Sequence, residues 1–331
     1  MNVIKFWYKN ARPQSLPQSI LPATAAFVTS TSNPNFVWWL GLLSIAGVGL
    51  EHLSINLFDD YFDYRVKKSD FRDRLAHKGI RARIHKCRYL VSGQTTPNKL
   101  LVACLVTGGT AALSGFIILY FRGVTVFYIA AAAALIGVMY SGPPLKLSYR
   151  GLGEATIGLM FGPLSMVGVY FSSCGQIDPS VLFISIPVGL LVANIIYVHS
   201  IMDYEPDLAV GKVTLAVALK TKPAMIAALA IILTATYISI VAGIIFGSLS
   251  PYYLLTMATI PIAIRLFYLM VQFVKNPERQ FDPEWWLGPF GDFENIKKIG
   301  IGWFMVRWIT ARNLLSFFCL IIMLTVIVFK N

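Results

Sequence analysis

The stretch SINLFDDYFDYRVKKSD, residues 54 to 70, sets Asn56, Asp59, Asp60, Asp63 and Asp70 within one short segment. If the preceding helix continues, the i, i+4 and i+3 spacings bring Asn56, Asp60 and Asp63 onto one face, with Asp59 beside them. Carboxylates this close repel one another unless a cation neutralises them, and hard oxygen ligands suit a Mg²⁺ ion that also binds phosphate. A second segment, HSIMDYEPDLAVGKVT, residues 199 to 214, spaces Asp203 and Asp207 four apart and follows them with Lys212 and Thr214. Pro206 pushes Glu205 away from helical geometry, so a helix end or kink is expected there.

Between the two lies YSGPPLKLSYRGLGE, residues 140 to 154, in which Gly142-Pro143-Pro144 breaks a helix and Lys146 and Arg150 stand four apart. Two such cations can point together at an anion, and Arg can hold a phosphate through two donors. Either acidic segment alone is also what a solvated helix end looks like, and the two cations alone fit an ordinary basic loop. Together they describe a diphosphate trap. Asp60, Asp63, Asp203 and Asp207 are the expected Mg²⁺ ligands and Asn56 and Asp59 their helpers, while Lys146, Arg150 and Lys212 are expected to neutralise a leaving group. Tyr140 and Tyr197 are aromatic candidates for shielding cationic charge.

These residues must be positioned by membrane helices. The chain has 331 residues, 56% hydrophobic and 13% charged, too apolar for a soluble domain that must cover itself with polar surface. Apolar runs near the length of about 20 residues needed to cross a bilayer recur at roughly 16–32, 37–57, 99–121, 124–141, 154–173, 180–202, 222–246, 251–274 and 313–329. The expectation is an all-α polytopic membrane protein of about nine transmembrane helices around a central cavity. The N-terminal MNVIKFWYKNARPQ leads into a stretch carrying Pro17 and Pro22, a poor signal-peptide core, and reads as an uncleaved first helix.

Lys and Arg number 28 against 16 Asp and Glu, a net charge of +12. The excess sits in short loops, above all between residues 64 and 99, which marks a membrane orientation rather than a nucleic-acid partner. The bias predicts a multi-pass protein of the inner, or cell, membrane with its N-terminus and acidic loops cytoplasmic and its C-terminus opposite. Cys87, Cys104, Cys174 and Cys319 stand singly and read as free thiols. The acidic motif after the second span recurs after the sixth, an even offset that suggests one domain over residues 1–331 built from parallel halves, approximately 1–141 and 142–331. The segment 275–312 mixes Trp, Pro and acids in the manner of an interfacial cap.

With these motifs assembled, the chain resembles the UbiA superfamily of intramembrane prenyltransferases. Asp59-Asp60-x-x-Asp63 is similar to the family's Asn-Asp-x-x-Asp, Asp203-x-x-x-Asp207 to its second acidic pattern, and RYLVSGQTTP at 88–97 to its Arg-Pro-Leu-x-Ser-Gly segment. Asp59 stands where the family has Asn, Asp70 lies at a longer spacing than the family's last acid, and His199-Ser200 occupies a place where Asn is common. Within the superfamily, ARPQSLPQS, YSGPPLKLSYRGLGE, FGPLSMVGVYF and GKVTLAV look most like the branch acting on 1,4-dihydroxy-2-naphthoate. That resemblance implies Mg²⁺-dependent transfer from a polyprenyl diphosphate to an aromatic acceptor, with decarboxylation to demethylmenaquinone. Another acceptor, such as a hydroxybenzoate, homogentisate, a tetrapyrrole or a lipid, stays open, as does a secondary transporter whose acids bind ions.

Overall fold

The computed structural model describes residues 2–65, 87–209 and 211–329. Asp70 and most of the basic loop lie outside them. Among the described residues all regular elements are helical, joined by one isolated bridge between Arg150 and Val213. Seven helices are long and apolar enough to cross a membrane: α3 (Trp38–Arg65), α5 (Pro97–Arg122), α7 (Gly153–Cys174), α8 (Pro179–Met202), α11 (Lys222–Ile245), α12 (Pro251–Lys275) and α14 (Gly302–Val328). Two further apolar helices, α2 (Pro17–Ser30) and α6 (Thr125–Ser141), have 14 and 17 residues. Short helices α1 (Val3–Asn10), α4 (Arg88–Val91), α9 (Tyr204–Ala209), α10 (Leu215–Leu219) and α13 (Phe293–Lys298) complete the chain. The protein is a multi-pass membrane protein.

Helix α8 is the central post, with Val188, Leu191, Val192, Ile195 and Val198 fully buried. It crosses α7 at very close range, because a Cβ on Gly162 would lie 2.4 Å from the Gly189 Cα. Small residues let two backbones approach this way where lipid offers no hydrophobic drive. At the same place Pro163 removes a ladder donor, and the helix relaxes into a π-turn over Met160–Leu164.

Two helix ends differ from the sequence expectation. Helix α3 continues to Arg65, so the whole first acidic motif is helical. Helix α14 begins at Gly302 rather than near 313, since Arg307 and Arg312, which interrupt the apolar run, are accommodated inside it. Arg307 is fully buried and bonds the carbonyls of Leu269 at 3.1 Å, of Arg279 at 3.5 Å, and of Trp303. Asn313 reaches the carbonyls of Leu287 and Pro289 at 2.9 and 3.1 Å, and Arg265 clasps Glu284 through two bonds of 3.0 and 2.6 Å. Segment 276–301 is thereby strapped over the ends of α12 and α14.

At the far end of the bundle, Arg122 bonds the carbonyls of Ser172 at 2.8 Å and of Ser173, capping the C-terminus of α7. All four cysteines are free and buried.

Candidate active site

The ends of α3 and α8 that carry the acidic motifs line one cavity of about 440 Å³, together with residues from α2, α6, α7 and α14. Asn56, Asp59, Tyr140, Asp203, Asp207 and Lys212 all face it. Asp60, Asp63, Asp203 and Asp207 are 2–4% exposed, so their charge must be balanced within the protein or by a ligand.

On α3 the cavity-facing stripe runs through Asn56 and Asp59, three residues apart, rather than through Asn56 and Asp60. One residue rotates a helix by about 100°, which turns Asp60 toward the N-terminal arm. There Arg12 contacts Asp60 and, at 3.0 Å, Asp59, while also bonding the Asn56 carbonyl at 2.9 Å. Asn56 answers with bonds to the Ala11 carbonyl and the Ser15 hydroxyl, both 3.0 Å. Burial works against the Arg12 charge, but Asp60 and Asp59 outweigh it and hold the guanidinium protonated more firmly than usual. Tyr89 donates to Asp60 at 3.0 Å, and burial, then the Asp60 charge, push its phenol well above the ordinary tyrosine range. It therefore remains a donor. Ser141 donates to Asp59 at 2.6 Å.

The second motif sits where α8 ends. His199 bonds Asp203 at 3.1 Å, and the Asp207 and Lys212 backbone amides close the turn on the carbonyls of Asp203 and Asp207. Glu154 braces it, accepting from Ser200 at 2.5 Å and from the Leu215 amide at 3.2 Å. Tyr149 joins the motifs: its hydroxyl donates to Asp63 and its ring lies 5.7 Å from the Lys212 ammonium.

Asp63, like Asp60, does not line the cavity, since Tyr149 engages it instead, and three further expected residues lie elsewhere. Lys146 and Arg150 are exposed and do not line the cavity, because a 3₁₀ turn at Leu147–Tyr149 intervenes, turning Ser148 into the cavity and Tyr149 onto Asp63 in their place. Tyr197 is fully buried against α11, bonding the Met225 carbonyl at 2.8 Å. Conversely, Arg12, Tyr89, Ser141, Tyr149 and Glu154 hold the motifs from distant points of the chain, and no local spacing marks them.

Among the described residues no three His, Cys, Asp or Glu side chains converge as a protein-only metal cage. That suits Mg²⁺, which keeps several waters and is held through one or two carboxylates plus substrate phosphates. Asp59 on α3 and the buried Asp203 and Asp207 at the end of α8, which face the same cavity, fit such half-sites. From the inner wall formed by His52, Ile55 and Phe161 a second, apolar cavity of about 170 Å³ continues between α3, α6 and α7, lined by Gly47, Ala130, Ala133 and Ala134.

Fold and site define a membrane-embedded class of protein in which a pocket bearing two acidic helix ends shares a wall with an apolar groove. The chain belongs to the UbiA prenyltransferase family, whose model matches residues 19–287. It is 25% identical over 217 residues to a 1,4-dihydroxy-2-naphthoate octaprenyltransferase of Mycobacterium tuberculosis, covering 64% of this chain and 69% of that one. A Bacillus subtilis protein of the same name is 26% identical over 76% of this chain and 77% of its own. Among solved structures, a digeranylgeranylglyceryl phosphate synthase superposes with a TM-score of 0.63 at 18% identity, covering 100% of this chain and 99% of the other. A UbiA homolog from Aeropyrum pernix K1 gives 0.60 at 16% identity, covering 97% and 99%. A UbiA homolog from Archaeoglobus fulgidus, bound to DMAPP and Mg²⁺, gives 0.50 at 18% identity, covering 81% and 98%. The protein is a prenyltransferase.

Proposed function

We propose that this prenyltransferase moves a polyprenyl group from an allylic diphosphate onto 1,4-dihydroxy-2-naphthoate, with loss of the ring's carboxylate. The observation that carries the reading is the shared cavity: two acidic helix ends face one space that continues into an apolar groove. Curated relatives of that name support the acceptor.

Asp59, backed by Asp60 and Asp63, supplies one half of the diphosphate site and Asp203 and Asp207 the other. Mg²⁺, when bound, supplies positive charge against the departing diphosphate. Arg12 and Lys212 add fixed cations at the mouth, and Tyr149 keeps the halves in register. The C1–O bond breaks with its electron pair going to diphosphate, and a ring carbon of the acceptor supplies the pair for the new C–C bond. Release of CO₂ returns a pair to the ring. The apolar groove holds the tail, and the wall of Ile157, Ile196 and Phe304 excludes water from the allylic cation. The site end of the bundle faces the cytoplasm of the cell membrane, following its Lys and Arg excess.

Purified protein given Mg²⁺, a polyprenyl diphosphate and, in parallel, dihydroxynaphthoate, hydroxybenzoate and homogentisate tests this. The expected result is preference for the naphthoate and a loss of more than a hundredfold in kcat for Asp59→Ala or Asp203→Ala. Preference for another ring would replace the acceptor, and undiminished turnover in both variants would remove the metal site.

A further inference from the structure

The prenyl-transfer reading gives the Asp residues of the cavity to the metal and leaves one buried acid on its wall without a chemical task. Glu154, in the first turn of α7, is 2% exposed and lines the main cavity. Its Oε1 accepts from the Ser200 hydroxyl at 2.5 Å and from the Leu215 amide at 3.2 Å, whereas Oε2 has only a second, 3.3 Å bond to that same amide. A carboxylate oxygen accepts more than one bond, so Oε2 keeps capacity for a ligand.

Its depth is informative. Ser200 lies three residues before Asp203 on α8, about 4.5 Å further along the helix axis from the acidic end. The α7 stripe of Glu154, Ile157 and Phe161 runs from that level to the wall shared with the apolar groove. A donor with its diphosphate between Asp59 and Asp203 and its tail in the groove has its C1 between the two, on the level of Glu154. The other cavity groups that could take a proton are engaged. His52 has Nε2 on Ser15 at 3.1 Å and Nδ1 on Ser19 at 2.7 Å, and His199 bonds Asp203. Tyr140 offers a phenol and Lys212 an ammonium, groups that donate rather than accept protons near neutral pH.

We infer that Glu154 is the general base that takes the proton of the acceptor's ring hydroxyl while the C–C bond forms. The inference rests on the prenyl-transfer reading and deepens it by naming a catalytic residue for the acceptor half of the reaction. A ring pair forms the bond to the allylic C1; the pair of the neighbouring O–H bond stays with oxygen, which closes a C=O bond, and the proton passes to Glu154. When CO₂ leaves, its bonding pair rebuilds the ring, the C=O pair reverts to oxygen, and oxygen takes the proton back. No net proton is consumed, and no second positive charge builds up beside the allylic cation.

Glu154→Gln keeps a side-chain oxygen for Ser200 and the Leu215 amide but cannot take a proton. The unaltered protein and the variant are given Mg²⁺, a polyprenyl diphosphate and either dihydroxynaphthoate or a ring-fluorinated analogue with more acidic hydroxyls; diphosphate release is also followed without acceptor. General bases contribute about 100-fold or more, and less as the proton becomes more acidic. The expected results are a fall of about that size in kcat for dihydroxynaphthoate, at least about tenfold less for the fluorinated ring, and partial recovery in Glu154→Asp. Donor affinity and acceptor-free diphosphate release are expected to hold, which also reports that the variant is folded. Undiminished kcat, equal losses with both rings, or a parallel loss of acceptor-free release, as a mere brace for Asp203 would give, overturns the assignment. If the unaltered protein prenylates no hydroxylated ring, the functional reading falls and Glu154 with it; turnover by both proteins alike removes Glu154 alone.

Discussion

Arg12 shows how much of a site can hang on one side chain that no motif announces. Its guanidinium touches Asp59 and Asp60 while bonding the Asn56 carbonyl. Removing one partner of a buried ion pair costs about 3–5 kcal/mol, because it strands the other charge. Arg12→Ala is therefore expected to lower thermal stability sharply in metal-free buffer and to regain part of it when Mg²⁺ is added; a melting curve with and without Mg²⁺ checks this. Tyr149→Phe keeps the ring beside Lys212 but deletes the hydroxyl on Asp63. Loss of one hydrogen bond to a charged group, about 1.5–3 kcal/mol, predicts a 10- to 100-fold fall in kcat/KM for the prenyl diphosphate with little change in melting. The acids themselves are legible in the sequence because helix periodicity reports which residues share a face. It does not report which of two adjacent acids looks inward, and Asp59 rather than Asp60 lines the cavity. Arg12, Tyr89 and Glu154 escape notice because their partners lie 29 to 61 positions away, where spacing carries no information.

At the scale of elements, the crossing of α7 and α8 is the joint that aims both Glu154 and Asp203. The Gly162 and Gly189 backbones touch so closely that Gly162→Leu must push the helices apart. Overpacking of this kind costs about 1–3 kcal/mol, and the expected outcome is reduced melting temperature together with reduced turnover even though no acid has been altered. Gly109→Leu on α5, where a Cβ meets open space, is the matched control and is expected to leave both unchanged. Sequence reading recovers the long helices because apolar length is what a bilayer demands. It misplaces their ends where polar groups are satisfied inside: the Arg307 charge looks like a helix boundary until its three carbonyl partners are seen. Lys146 and Arg150 mislead for a related reason, since four-residue spacing means a shared face only on an α-helix and the intervening turn is 3₁₀.

For the whole molecule, a charged cavity beside an apolar groove would, on the proposed reading, separate recognition of the diphosphate from accommodation of the tail. Ala133→Trp, which fills the groove, is expected to spare transfer from a short prenyl diphosphate while cutting transfer from a long one by more than tenfold; a chain-length series with both enzymes checks this. Chelation of divalent metal is expected to abolish transfer from every donor alike. The groove also governs how the enzyme behaves outside a membrane. A slot shaped for a hydrocarbon chain does not distinguish an isoprenoid from the alkyl tail of a solubilising surfactant. Rates in micelles should therefore fall as surfactant chains lengthen, with apparent competition against the prenyl donor, and recover when the protein is returned to branched-chain or bilayer lipid.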